Sequence, residues 1–89
     1  MKLEAIRLKI DQIDGAILTL VQKRFILSQE IARVKKTQGL AIEDQKREKK
    51  LMEKLLKKGT SMNISKELVE KLFTVILYFS KKEQEKDFL

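Results

Sequence analysis

The chain has 89 residues, 37 % of them charged, and its 20 Lys/Arg outnumber 13 Asp/Glu to give a net charge of +7. It contains no cysteine and no histidine, which excludes disulfides, thiol nucleophiles, imidazole acid–base catalysis and the usual zinc sites. A domain of this size buries only about 60–65 % of the surface its unfolded chain exposes, so association with another copy is the expected support.

With no proline and three glycines, strong helix formers dominate, and residues 1–89 are expected to form a single all-α domain. Apolar residues first recur at Leu3, Ile6, Ile10, Ile13, Ile17, Leu20, Leu27, Ile31 and Val34. Steps of three and four make this one long helical seam, which Gly39 stops after Lys35 and Lys36. A second helix is expected from about Glu43 to Lys58, opening on Glu43 and Asp44, carrying Leu51, Met52, Leu55 and Leu56, and closed by Gly59. Asn63 and Ser65 are candidate N-caps for a third helix at about 66–86, with Leu68, Leu72, Phe73, Ile76, Leu77 and Phe79 as core residues. The longest uncharged run, Leu72 to Ser80, is about half a membrane span. The N-terminus sets Lys2, Glu4 and Arg7 among its apolar residues, unlike a secretory signal, so a cytoplasmic location without membrane contact is expected.

About 35 helical residues extend roughly 50 Å, whereas a compact globule of this size is about 30 Å across. The second and third helices are too short to cover the first. The expected architecture is therefore three helices per protomer, one of them very long, in an intertwined homodimer.

Several polar residues stand where apolar ones belong. The step after Leu20 lands on Arg24, a costly seam position unless its guanidinium meets an anion. Lys35 follows Arg24 by three helical turns on nearly the same face, so the two cations can converge on one small anion. Asp44, Arg47, Glu48 and Leu51 share a face of the second helix, and the apolar face of the third ends in Ser80 and Gln84. Each has an ordinary structural explanation as a salt bridge, solvated lysine, surface ion pair or frayed helix end. Arg7 lies about 25 Å before Arg24 along the helix and can join it at one ligand only between antiparallel chains.

The ordered set Ile6-Arg7-x-x-Ile10-Asp11-x-x-Asp14, Leu20-Val21-x-x-Arg24, Ile31, Lys35, Ile42-x-Asp44-x-x-Arg47-Glu48, and Phe73 through Ser80 with Gln84 closely resembles the all-helical chorismate mutases of the AroQ class. The resemblance implies an interlocked homodimer with two active sites that converts chorismate to prephenate by a Claisen rearrangement, in phenylalanine and tyrosine biosynthesis, without cofactor or metal. Carried over by position, Arg24 and the partner subunit's Arg7 would bind the two substrate carboxylates. Lys35 would contact a carboxylate and the ether oxygen, to which Gln84 would also donate. Asp44 and Glu48 would lie by the ring hydroxyl, supported by Arg47; Ser80 would sit near a carboxylate, and Ile31 and Leu77 would wall the ring.

A pericyclic rearrangement needs no nucleophile, acid or base, so the missing histidine and cysteine are no obstacle. Its demands are a folded substrate and stabilisation of growing charge on the ether oxygen. The alternatives are an isochorismate pyruvate-lyase of the same fold, a basic helical binding module and a coiled-coil adaptor. Dispersed acidic residues and mostly core-like aromatics speak against nucleic acid as a partner.

Overall fold

The computed structural model describes residues 2–86. Helix α1 spans Lys2–Gln38, α2 Gln45–Ser61 and α3 Lys66–Lys86, and no strand occurs among the described residues. Local chemistry sets each boundary. Gly39 adopts φ +69°, and Gly39 N and Leu40 N donate to the carbonyls of Lys36 and Lys35 at 3.3 and 2.8 Å. These paired bonds form the Schellman closure that a left-handed residue permits. Helix α2 starts on Asp44, whose carboxylate accepts from Arg47 N at 3.0 Å, and α3 starts on Ser65, whose hydroxyl accepts from Leu68 N at 3.1 Å. Such caps each contribute about 1 kcal/mol.

Two expected roles change between α2 and α3. Gly59 does not close α2, which runs two residues further to Ser61. The closure falls to Asn63, at φ +58°, with Ile64 N donating to Gly59 O at 2.8 Å and Asn63 N to Thr60 O at 3.1 Å. Asn63 is thus the left-handed stop of α2 rather than the cap of α3, a conformation asparagine tolerates because its side chain bonds locally. Gly59 is needed for close approach, since a Cβ there would lie 2.7 Å from Val69 Cγ2. At the other end of α2, Glu43 lies before the cap and outside the helix.

Helix α3 packs against both α1 and α2, while α1 and α2 do not pack on each other among the described residues. The face of α3 carrying Val69, Phe73, Ile76, Leu77 and Ser80 is buried or half-buried, but Leu68, Leu72 and Phe79 are exposed. These three therefore leave the expected core, and the unforeseen Val69 enters it. The apolar surface of α3 is wider than its two neighbours in the chain can cover.

Helix α1 contributes mainly its second half to this packing, burying Ser28 and Ala32 and half-burying Arg24, Phe25 and Lys35. Along its first half Leu3, Ile6, Ile10, Ile13, Ile17 and Leu20 are 50 to 63 % exposed. The chain measures 57 × 25 × 15 Å with a radius of gyration of 16.3 Å, against about 12 Å for a compact chain of this length. Its accessible surface is 7374 Å², against about 5,400 Å² for a folded monomer of this mass. No described helix is long and apolar enough to cross a membrane.

Candidate active site

Three helical series converge where the second half of α1 meets α3 and the start of α2. Helix α1 presents Arg24, Leu27, Ser28, Ile31 and Lys35; α2 and its cap present Asp44, Arg47, Glu48 and Leu51; α3 presents Leu77, Ser80, Lys81 and Gln84. Steps of three and four keep each series on one helix face. With Ile42 from the 39–44 connection, they line a cavity of about 430 Å³, the size of a small-molecule site.

Arg24 Nη1 donates to Ser80 Oγ, crossing from α1 to α3 over the cavity floor. Ser28 Oγ donates to the Arg24 carbonyl at 3.1 Å. Burial, and then the nearby charge of Arg47, hold the Arg24 guanidinium below its usual pKa; an anion placed between these cations would reverse that effect. Lys35 Nζ donates to the Ile42 carbonyl at 2.7 Å, curling the lysine toward the cavity and tying α1 to the connection. An ammonium has three donors, so two remain for a ligand. Gln84 Oε1 is buried and has no hydrogen-bond partner among the described residues.

Lys81 Nζ lies 3.0 Å from Glu48 Oε1 and 3.1 Å from Glu43 Oε1. Its hydrogen bond to Glu48, and then that to Glu43, raise its pKa above the ordinary lysine value. The cavity wall thus carries four cations, Arg24, Lys35, Arg47 and Lys81, and two carboxylates, Asp44 and Glu48. Among the described residues no cluster of three or more His, Cys, Asp or Glu could hold a metal ion.

Arg24, Ile31, Lys35, Asp44, Arg47, Glu48, Leu77, Ser80 and Gln84 all line this one cavity. Arg7 does not: it lies on the exposed first half of α1, 3.1 Å from Glu4 across one helical turn. Sequence reasoning missed Leu27, Ile42, Leu51 and Lys81 as wall residues and placed Ser28 between the cations without a role. The signal for Lys81 was its spacing, four residues after Leu77 and three before Gln84, which puts it on the cavity face of α3.

An all-helical scaffold thus gathers cations, carboxylates, hydrogen-bonding side chains and apolar walls around one cavity of small-molecule size. Residues 6–85 match the family described as chorismate mutase type II. A chorismate mutase of Methanocaldococcus jannaschii is 34 % identical over 80 residues, covering 90 % of this chain and 81 % of that protein. A bifunctional chorismate mutase/prephenate dehydratase of Enterobacter agglomerans is 33 % identical over 73 residues, 82 % of this chain but 19 % of the longer protein. A solved structure of a conserved hypothetical protein from Pyrococcus furiosus is similar in fold, with a TM-score of 0.70 and 36 % identity over 94 % of this chain and 96 % of that one. The chain belongs to the chorismate mutase type II family.

Proposed function

We propose that this chain converts chorismate to prephenate in a homodimer with two sites, each formed by the cavity of one protomer and the partner subunit's Arg7. The observation that carries this reading is the convergence of Arg24, Lys35, Glu48 and Gln84 from three helices on one cavity in a chain of this family. The reaction is an isomerisation: the ether C–O bond breaks, a C–C bond forms, and no proton or leaving group is exchanged. Catalysis then rests on holding the reactive conformer and stabilising developing charge.

Arg24 grips one substrate carboxylate, with its guanidinium steadied by Ser80 Oγ. Ser80 accepts that bond through a lone pair and keeps its own O–H to donate to the carboxylate. The second carboxylate falls to the partner subunit's Arg7. Lys35, anchored at Ile42 O with donors to spare, reaches a carboxylate and the ether oxygen, and the Gln84 amide donates to that same oxygen. Charge on the ether oxygen grows toward the transition state, so both bonds strengthen there and lower the barrier. Glu48 accepts from the ring hydroxyl beside Asp44, Arg47 balances these carboxylates, and Ile31 and Leu77 confine the ring.

Support for the dimer comes from surface. The excess over a monomer of this mass is about 2,000 Å² per copy, hence about 4,000 Å² per pair, which lies in the range of obligate homodimers. Its apolar part is the stripe Leu3 to Leu20 on α1 and the row Leu68, Leu72, Val75 and Phe79 on α3. Long helices running antiparallel would cover both and carry Arg7 toward the other chain's cavity.

The test is incubation with chorismate, following its ultraviolet loss and assaying prephenate after acid conversion to phenylpyruvate. Stoichiometric prephenate is expected. Release of pyruvate instead, or no consumption of chorismate, overturns the reading.

A further inference from the structure

Because α1 and α2 do not pack on each other, the two walls of the cavity are aligned indirectly. The cationic wall belongs to α1 and the acidic wall to α2, and both are referred to α3 and to the 39–44 connection. Lys35 fastens that connection to α1 through Ile42 O at 2.7 Å, and Asp44 fastens it to α2 as a cap. The tie to α3 is Lys81, whose ammonium reaches Glu43 on the connection at 3.1 Å and Glu48 in the first turn of α2 at 3.0 Å.

The two halves of this tie differ. The Glu43 side chain is 57 % exposed and Glu48 only 28 %, with Lys81 itself at 31 %. Screening by water weakens the Glu43 arm, so the Glu48 arm is the stronger. Glu48 is engaged through Oε1, and a carboxylate has a second oxygen with acceptor capacity of its own. A glutamate with one oxygen held has lost most of the rotamer freedom that would otherwise be lost on binding a ligand.

We propose that Lys81 is a positioning residue for the rearrangement: by bonding Glu43 and one oxygen of Glu48 together, it sets the acidic wall against α3 and presents the other Glu48 oxygen to the substrate hydroxyl. This rests on the chorismate mutase reading and its role for Glu48. The ring hydroxyl keeps its own O–H and C–O bonds through the rearrangement and carries little of the charge that develops on the ether oxygen, so its hydrogen bond contributes about equally in substrate and transition state. Its loss is a loss of uniform binding, which raises KM more than it lowers kcat.

Steady-state kinetics on chorismate should compare wild type, Lys81→Met, Lys81→Arg, Glu48→Gln and the double variant Lys81→Met/Glu48→Gln. Lys81→Met keeps the stem without the charge and should raise KM about tenfold while kcat changes less than about threefold, with Lys81→Arg restoring most of the loss. In the Glu48→Gln background the same change should cost less than about twofold, because Lys81 acts through Glu48. Hydrogen exchange read by mass spectrometry should quicken at residues 40–48 of Lys81→Met and stay unchanged in α1. An unmoved KM overturns the proposal, as does a full cost that persists in Glu48→Gln or unchanged exchange at 40–48. If Lys81→Met does not fold, Lys81→Gln takes its place; failure of both to fold makes Lys81 a folding residue and overturns the positioning role. Wild type that leaves chorismate unconsumed overturns the underlying reading instead, a result separate from normal turnover with an unmoved variant.

Discussion

The two halves of α1 are one continuous helix with opposite surroundings. From Lys2 to Leu20 every described side chain is exposed, including a complete apolar stripe. From Arg24 to Lys35 the same helix packs on α3 and lines the cavity. The half rich in isoleucine lacks cover within its own chain, while the half interrupted by Arg24 and Lys35 is covered in part, burying Ser28 and Ala32 and leaving Leu27, Ile31 and Val34 about half exposed. Apolar periodicity records that a helix face will be buried but does not say by which chain.

The largest expected effect breaks the first half. Ile13→Lys sets a charge in the middle of the stripe, far from the cavity, and costs several kcal/mol per copy if that stripe is buried between chains. Analytical ultracentrifugation should show dissociation, with loss of helicity by circular dichroism and of mutase activity; a fully active dimer would remove the stripe from the interface.

Joining the two halves is the next test. Arg7→Ala and Arg24→Ala should each lose about 4 kcal/mol of transition-state stabilisation, the scale of an unpaired carboxylate left in a desolvated site. Refolded together, they should recover roughly a quarter of wild-type activity, because half the dimers are mixed and each mixed dimer has one intact site. Absence of recovery, with heterodimers confirmed by native mass spectrometry, would place Arg7 outside the site.

Within the second half, Lys35→Ala should lose about 3 kcal/mol in kcat/KM with little change in melting temperature, since one preorganised donor on the ether oxygen is removed. Near-normal turnover would take Lys35 out of the mechanism. Gln84→Glu should be slower than wild type by about 2 kcal/mol at neutral pH, where a carboxylate offers no donor and opposes charge on the ether oxygen. Lowering the pH protonates the introduced group, whose ordinary pKa is about 4.3, and restores a donor. The variant's rate should therefore rise as pH falls while wild type stays level, provided both remain folded. A variant profile parallel to wild type would deny Gln84 this contact.

The smallest effect concerns the joint between α2 and α3. Gly59→Ala places a methyl group 2.7 Å from Val69 Cγ2 and should destabilise the fold by about 1–2 kcal/mol, read as a lower denaturant midpoint. Pairing it with Val69→Ala, which removes the obstructing methyl, should cancel the clash; an additive loss would point to the backbone instead.

The number of helices, the long α1, its stop at Gly39, the Ser65 cap and the bounds of α3 were all legible because each depends on neighbours within one or two turns. So were nine residues that meet in the cavity, through helical spacing and the family resemblance together. What tertiary structure decided was which element each face met. Gly59 was read as a stop because a glycine near the end of a helical pattern has that meaning locally, yet Val69, ten residues on, is what requires it. Leu68, Leu72 and Phe79 carry the right periodicity for a core, but the rotation of α3 turns Val69 inward and leaves them exposed. Lys81 is the plainest case: its spacing puts it on the face of Leu77 and Gln84, but only the packing of α3 against the start of α2 brings it to Glu48 and Glu43. Sequence by itself determined periodicity and caps, which are properties of adjacent residues. The rotation and crossing of helices follow from contacts distant along the chain, and these decided where each charge lies.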